Sequence, residues 1–126
     1  MKRLRTLALT GLLVASLALP AQATWSIVIV NTRTGEVAIG CASCVGSADL
    51  LVSVPALVVG KGGVVIQAAG DFFGGGRALA VVDLAQGFSA QQVLDDWLAT
   101  ALALPIKQYG VATLLGDSAN YTGSLC

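Results

Sequence analysis

Thr24-Trp-Ser-Ile-Val-Ile-Val-Asn-Thr-Arg-Thr-Gly-Glu-Val-Ala-Ile-Gly-Cys-Ala-Ser43 is the stretch on which the fold turns. Trp25 to Val30 is short, continuously apolar and rich in β-branched residues, which predicts a strand covered on both faces. Asn31-Thr-Arg-Thr-Gly35 reads as a turn, with Gly35 supplying the residue at positive φ. Glu36 to Ser43 predicts a second strand, built from small residues (Ala38, Gly40, Ala42, Ser43) that let another element approach closely. If Asn31 pairs with Glu36, the antiparallel register sets Thr24 opposite Ser43. A slip of one residue would put Ala42 or Cys44 there instead.

Upstream of this hairpin lies a leader with the three parts of a secretory signal peptide. Met1-Lys-Arg-Leu-Arg5 is basic, Leu7 to Leu19 is apolar, and Pro20 precedes the small residues Ala21 and Ala23 that suit a signal peptidase. The apolar run is about 13 residues, short of the roughly 20 that a membrane span needs. No cysteine lies near the leader, which argues against a lipid anchor. The expectation is an exported protein, secreted or periplasmic, free of the membrane once residues 1–23 are removed. Cleavage after Ala23 would make Thr24 the first residue. It would then hold a hydroxyl nucleophile and a free α-amine to act as its base. An α-amine titrates at about 7.7–8.0, close to ambient pH, which suits a general base.

Of the 126 residues, 103 remain after the leader, enough for one small domain over residues 24–126. They carry four basic against seven acidic residues, a net charge of −3. No basic patch survives, so nucleic acid is not an expected partner. The chain has no histidine. That excludes a Ser-His-Asp or Cys-His hydrolase and any His-ligated metal. The aspartates show no metal-loop spacing, so neither metal nor cofactor is expected. Cys41, Cys44 and Cys126 all lie beyond the leader. An odd number leaves one thiol over or paired between chains. Cys41-Ala-Ser-Cys44 has redox-motif spacing, yet it falls in a strand pattern, where side chains three apart point to opposite faces.

Downstream, Gly46 to Asp49 reads as a loop, and Leu50 to Val59, which contains Pro55, as an irregular or edge strand. Val64 to Ala68 predicts a buried strand. Gly70 to Gly76 is a glycine-rich loop leading into a helix from about Arg77 to Gln86, stopped by Gly87. A second helix is better marked. Ser89 and Gln92 form a capping box, Phe88 and Val93 a hydrophobic staple, and Val93, Leu94, Trp97, Leu98, Ala101 and Leu102 an apolar stripe that ends before Pro105. Strands are predicted around Gln108–Leu115 and Ala119–Leu125. Strands, two consecutive helices, then strands is not the alternation of a doubly wound sheet. It predicts an α+β layered fold with antiparallel sheets and helices packed on one face.

Several motifs occur in a set order: Thr24-Trp-Ser-Ile-Val, Gly35-Glu-Val-Ala-Ile-Gly-Cys-Ala-Ser-Cys44, Gly60-Lys-Gly-Gly-Val-Val-Ile-Gln-Ala68, Gly87-Phe-Ser-Ala-Gln-Gln92, Gln108-Tyr-Gly-Val111 and Tyr121-Thr-Gly-Ser124. Together they resemble the DUF1028 family, an uncharacterised group with an N-terminal-nucleophile (Ntn) hydrolase-like fold. The ordered set, rather than any one piece, carries the resemblance. It implies a four-layer αββα sandwich and makes Thr24 the candidate nucleophile. Family members usually continue past the Thr-Gly-Ser motif, so this chain is expected to be C-terminally truncated and its sandwich incomplete.

The chemistry that these residues suggest is acyl transfer from an unknown small amide or peptide. Thr24 would be nucleophile and α-amine base. Lys61, in a glycine-rich turn, would lower the pKa of the Thr24 hydroxyl and amine if its ammonium stood nearby. Ser43, opposite Thr24, would hydrogen-bond the nucleophile or its amine. Gln67, at the end of a buried strand, would orient substrate. Backbone N–H groups around Gly70 or Gly74-Gly75-Gly76 are the candidate oxyanion donors. The rival expectation is a secreted, non-catalytic envelope or fimbria-like protein on the same scaffold. Its apolarity, sheet edges and odd cysteine would favour homo-oligomers.

Overall fold

The computed structural model describes residues 24–46 and 49–126. The leader expected over residues 1–23 lies outside the described residues. Six strands and three helices follow one another: β1 (Thr24–Asn31), β2 (Glu36–Ser43), α1 (Leu50–Ser53), β3 (Pro55–Val58), β4 (Gly62–Ala68), α2 (Gly75–Gln86), α3 (Ala90–Leu98), β5 (Lys107–Thr113) and β6 (Ser118–Thr122). β1 and β2 form a two-stranded sheet, and β3-β4-β5-β6 a four-stranded one in that order. Every pairing is antiparallel. The α+β class and the antiparallel sheets agree with the sequence reading.

The hairpin register is the one that the Asn31–Glu36 pairing implies, with Thr24 opposite Ser43 and Val28 opposite Ile39. A backbone bond from Gly35 N–H to the Asn31 carbonyl, 2.8 Å, closes the turn. Side chains alternate across a strand, so Thr24, Ser26, Val28 and Val30 share one face with Val37, Ile39, Cys41 and Ser43. That face packs onto β4, where the glycine of Gly63 makes room. A Cβ there would stand 3.0 Å from Ile39 Cδ1 and 3.3 Å from Val28 Cγ1.

The opposite face of the hairpin departs from expectation. Trp25, Ile27 and Ile29 are 59%, 46% and 55% exposed. The apolar run is dense enough for a doubly covered strand, but only one of its faces meets a second layer among the described residues. The order of layers is therefore hairpin, four-stranded sheet, helices.

The helix-facing side of the large sheet is the core. Val64 and Ile66 of β4, Tyr109 and Val111 of β5 and Ala119 of β6 pack with Ala80 and Leu84 of α2 and with Ala90, Val93, Leu94 and Trp97 of α3. Trp97 lies 4.6 Å from Tyr109 and 5.6 Å from Tyr121, ring centroid to ring centroid. Gly76 lets α2 come this close, because a Cβ there would meet Ile66 Cδ1 at 2.8 Å and Trp97 Nε1 at 2.9 Å.

The helix ends follow local chemistry. At the start of α3 the capping box is complete: Ser89 N–H donates to Gln92 Oε1 at 2.9 Å and Gln92 N–H to Ser89 Oγ at 3.3 Å. Asp117, from the β5–β6 turn, accepts from Ala90 N–H at 2.8 Å, and its other carboxylate oxygen accepts from the Thr113 hydroxyl. α3 stops at Leu98, well before Pro105. The Thr100 hydroxyl donates to the Trp97 carbonyl at 2.7 Å and accepts from Leu102 N–H at 3.1 Å, so its side chain competes with the helix ladder. Leu50–Val59 also splits. Asp49 caps a single helical turn by accepting from Leu51 N–H at 3.0 Å, and only then does Pro55 begin the edge strand.

Candidate functional site

Thr24 opens β1 at the end of the hairpin remote from its turn. Its Oγ1 lies 2.8 Å from Ser43 Oγ, the contact that the register predicts. Ser43 Oγ also accepts from Val45 N–H at 3.2 Å. With one lone pair so engaged, the Ser43 hydroxyl still holds a proton to give to Thr24 Oγ1.

Gln67 joins the two sheets at this point. Its Nε2 donates to the Thr24 carbonyl at 3.1 Å and to Gln108 Oε1 at 2.7 Å, while its Oε1 accepts from the Ser26 hydroxyl at 2.6 Å. Gln67 and Gln108 are direct cross-strand partners, and Thr122 lies opposite Gln108 on β6. A polar row thus crosses β4, β5 and β6 beneath β1. It floors a groove of about 200 Å³ lined by Ser26, Gln67, Gln108, Asn120 and Thr122, with Gly110 between them.

On the other side of Gln67 is a smaller cleft of about 70 Å³, which Thr24 and Ser43 themselves line. Its remaining wall comes from Val45, Leu50, Ser53, Val54, Ala68, Gly70 and Phe72. Ala68 has φ +71°, the one non-glycine residue in the left-handed region among the described residues. Such strain in an L-residue persists only where its surroundings over-determine it, and it clusters at functional sites.

Thr24, Ser43 and Gln67 are therefore neighbours, and Lys61 is not among them. Lys61 precedes β4 while Gln67 is near its end, six residues apart, a separation of about 20 Å along a strand. Its Nζ lies 3.6 Å from where a Cβ of Gly87 would be, at the C-terminal end of α2. There the unsatisfied carbonyls of the helix favour a cation. Lys61 lines a different cleft, with Gly87, Phe88 and Thr113, so its ammonium has no route to the Thr24 hydroxyl.

The Gly74–Gly76 loop is likewise committed elsewhere. Its N–H groups serve Asp71: Gly74 N–H donates to the Asp71 carbonyl, Gly76 N–H to Oδ1 at 3.3 Å and Arg77 N–H to Oδ2 at 2.8 Å. Arg77 and Lys107 approach the same buried carboxylate at 3.4 and 3.8 Å. Asp71 thus caps α2 and shares one negative charge between two cations, which leaves the amides of Gly74, Gly76 and Arg77 no role as oxyanion donors. Gly70, by contrast, does line the Thr24 cleft.

The sequence reading passed over Ser26, Ser53, Gln108 and Phe72. Gln108 was within reach, since it faces Gln67 once β4 and β5 are paired. Ser53 needs the unforeseen turn of α1. Cys41 faces inward between the sheets beside Ser26, and Cys41 and Cys126 carry free thiols. Among the described residues no group of three or more Cys, Asp or Glu side chains is placed to hold a metal ion, and no helix is long and apolar enough to cross a membrane.

A hydroxyl pair at the start of a strand, beside a cleft and tied to a second sheet by one amide, sets this chain among α+β proteins whose candidate chemistry lies at the first residue of β1. The sequence model of the family described as "Family of unknown function (DUF1028)" matches residues 24–126, and the chain belongs to that family. No curated protein and no solved structure matches it.

Proposed function

We propose that the protein is an exported Ntn-hydrolase-like amidohydrolase whose nucleophile is Thr24, freed as the N-terminal residue when the leader is removed. The observation that carries this reading is the 2.8 Å contact between Thr24 Oγ1 and Ser43 Oγ at the mouth of a cleft. The layered sheets, with helices against one of them, are compatible with part of an αββα sandwich.

In this reading the α-amine of Thr24 takes the hydroxyl proton as Oγ1 bonds to the amide carbonyl carbon. Ser43 donates to the oxygen that is losing its proton. The tetrahedral intermediate collapses as the C–N bond breaks, and the departing nitrogen takes the proton from the amine. Water then attacks the ester, releases a carboxylic acid and restores the threonine hydroxyl. Gln67 holds the Thr24 carbonyl, so the nucleophile's backbone is fixed to β4 while its side chain reacts.

The test begins with the intact mass of exported protein, which must correspond to a chain starting at Thr24. A threonine-directed β-lactone then adds one acyl group to this protein and none to Thr24→Ala or to N-terminally acetylated protein. Equal labelling of wild type and Thr24→Ala overturns the assignment.

A second reading is supported by one specific observation, the exposed row of Trp25, Ile27 and Ile29. On this reading the protein is a non-catalytic subunit that assembles through the uncovered hairpin face. Sedimentation would then show concentration-dependent association that Thr24→Ala leaves intact and Ile27→Lys abolishes.

A further inference from the structure

The amidohydrolase reading leaves the acyl group of the substrate unnamed, and the cleft beside Thr24 narrows the choice. Beyond the hydroxyls of Thr24, Ser43 and Ser53 and the Gln67 amide, its lining side chains are apolar: Val45, Leu50, Val54, Ala68 and Phe72. Among the described residues no side chain in the lining carries a charge, and the Thr24 α-amine must be neutral to act as base. Asp71, Arg77 and Lys107 face one another and do not line it. A carboxylate or ammonium entering the cleft would lose water and find no counter-charge there, a strongly unfavourable exchange.

Size points the same way. The cleft holds about 70 Å³, about half of a cavity of about 150 Å³ that accepts benzene. A group of a few heavy atoms therefore fills it. Phe72 sets this limit on one side. Its ring lies over Gly70, where a Cβ would stand 3.2 Å from Cε2 and Cζ. Gly70 has φ +63°, so glycine serves there both for backbone conformation and for the seat of the ring.

We propose, resting on the amidohydrolase reading above, that this cleft receives the acyl side of the substrate and selects a short, uncharged aliphatic group of about two to four carbons. Phe72, at the edge of the cleft, limits the size of that group on its side.

The experiment uses exported protein and a series of β-lactones that differ only in their α-substituent: methyl, propyl, benzyl, carboxymethyl and aminomethyl. In each, Thr24 Oγ1 bonds to the lactone carbonyl as the ring C–O bond breaks, and the ring oxygen takes the proton that Oγ1 lost. The rate of adduct formation at Thr24, read by mass spectrometry, reports the preference. The methyl and propyl lactones are expected to react at least about tenfold faster than either charged one, a difference of about 1.4 kcal/mol. The benzyl lactone should be slow with wild type and should approach the methyl rate in Phe72→Ala, whose exposed side chain is not part of the core. Equal rates across the series overturn this inference and leave Thr24 standing as the nucleophile. No adduct with any lactone overturns the inference and the amidohydrolase reading together.

Discussion

The two faces of the four-stranded sheet differ in kind. Toward the helices it presents Val64, Ile66, Tyr109, Val111 and Ala119, all buried and all apolar but for one phenol. Toward the hairpin it presents Gly63, Val65 and Ala112 under the apolar hairpin side chains, and Gln67, Gln108, Asn120 and Thr122 toward the Thr24 end. The first face is filled by volume alone, and the second adds side-chain hydrogen bonds through Gln67. A strand that alternates between them supplies both, as Ile66 and Gln67 do at adjacent positions. The lesson is that stability and candidate chemistry are separated here by a one-residue step along β4 rather than by distance.

Three measurements test this contrast. Trp97→Ala should have the largest effect. Trp97 is 0% exposed and packs against two tyrosines, Tyr109 tilted and Tyr121 edge-on. Removing a buried Trp costs about 3–5 kcal/mol, which urea denaturation would show as a large drop in midpoint. A loss below about 1 kcal/mol would mean that the helix side is no real core. Gln67→Leu comes next. It removes the amide that bonds Thr24, Ser26 and Gln108, at a cost of about 1–3 kcal/mol. Its distinguishing result is a fall in β-lactone labelling of Thr24 while Trp97→Val or another core change leaves the folded fraction's labelling rate unaltered.

The smallest effect concerns Asp83, the polar intruder on the apolar side. Burial first, and the Asp96 carboxylate second, push the Asp83 carboxyl up from the ordinary carboxylate range. Its Oδ2 has no hydrogen-bond partner among the described residues, and neither do Trp97 Nε1 and Tyr109 Oη. Burial also raises the Tyr109 phenol, helped by Asp83 and then Asp71. With its folded pKa above its unfolded one, Asp83 holds its proton more tightly when folded. Its stability contribution is full below the unfolded value near 3.8 and is lost as pH rises through the folded value. Asp83→Asn should therefore flatten the decline in stability between those two pKa values. An unchanged pH profile would show that Asp83 is already solvated.

The hairpin was legible from residues alone, because turn chemistry at Asn31–Gly35 pins the register and the register pins Thr24 to Ser43. The start of α3 was equally plain, since Ser89 and Gln92 satisfy each other within four residues. What the sequence hid was long-range. Lys61 looked suited to the site by charge, but it follows the Pro55–Val58 strand into a turn at the wrong end of β4. The glycines at 74–76 suit an oxyanion by sequence, yet Asp71, a few residues earlier, takes the amides of Gly74 and Gly76. Single-strand periodicity also cannot say how many layers surround an apolar run, so Trp25, Ile27 and Ile29 read as enclosed.

Gln67 turns interlayer spacing into site geometry. One side-chain amide bonds the main chain of the residue that would react, and its own backbone belongs to the opposite sheet. Whatever wedges the layers apart, such as a methyl added at Gly63 under Ile39, should therefore be felt at Thr24 about 13 Å along the strand, by four residues' rise. The contact between sheets acts as a lever, and the reactivity of the first threonine would serve as its gauge.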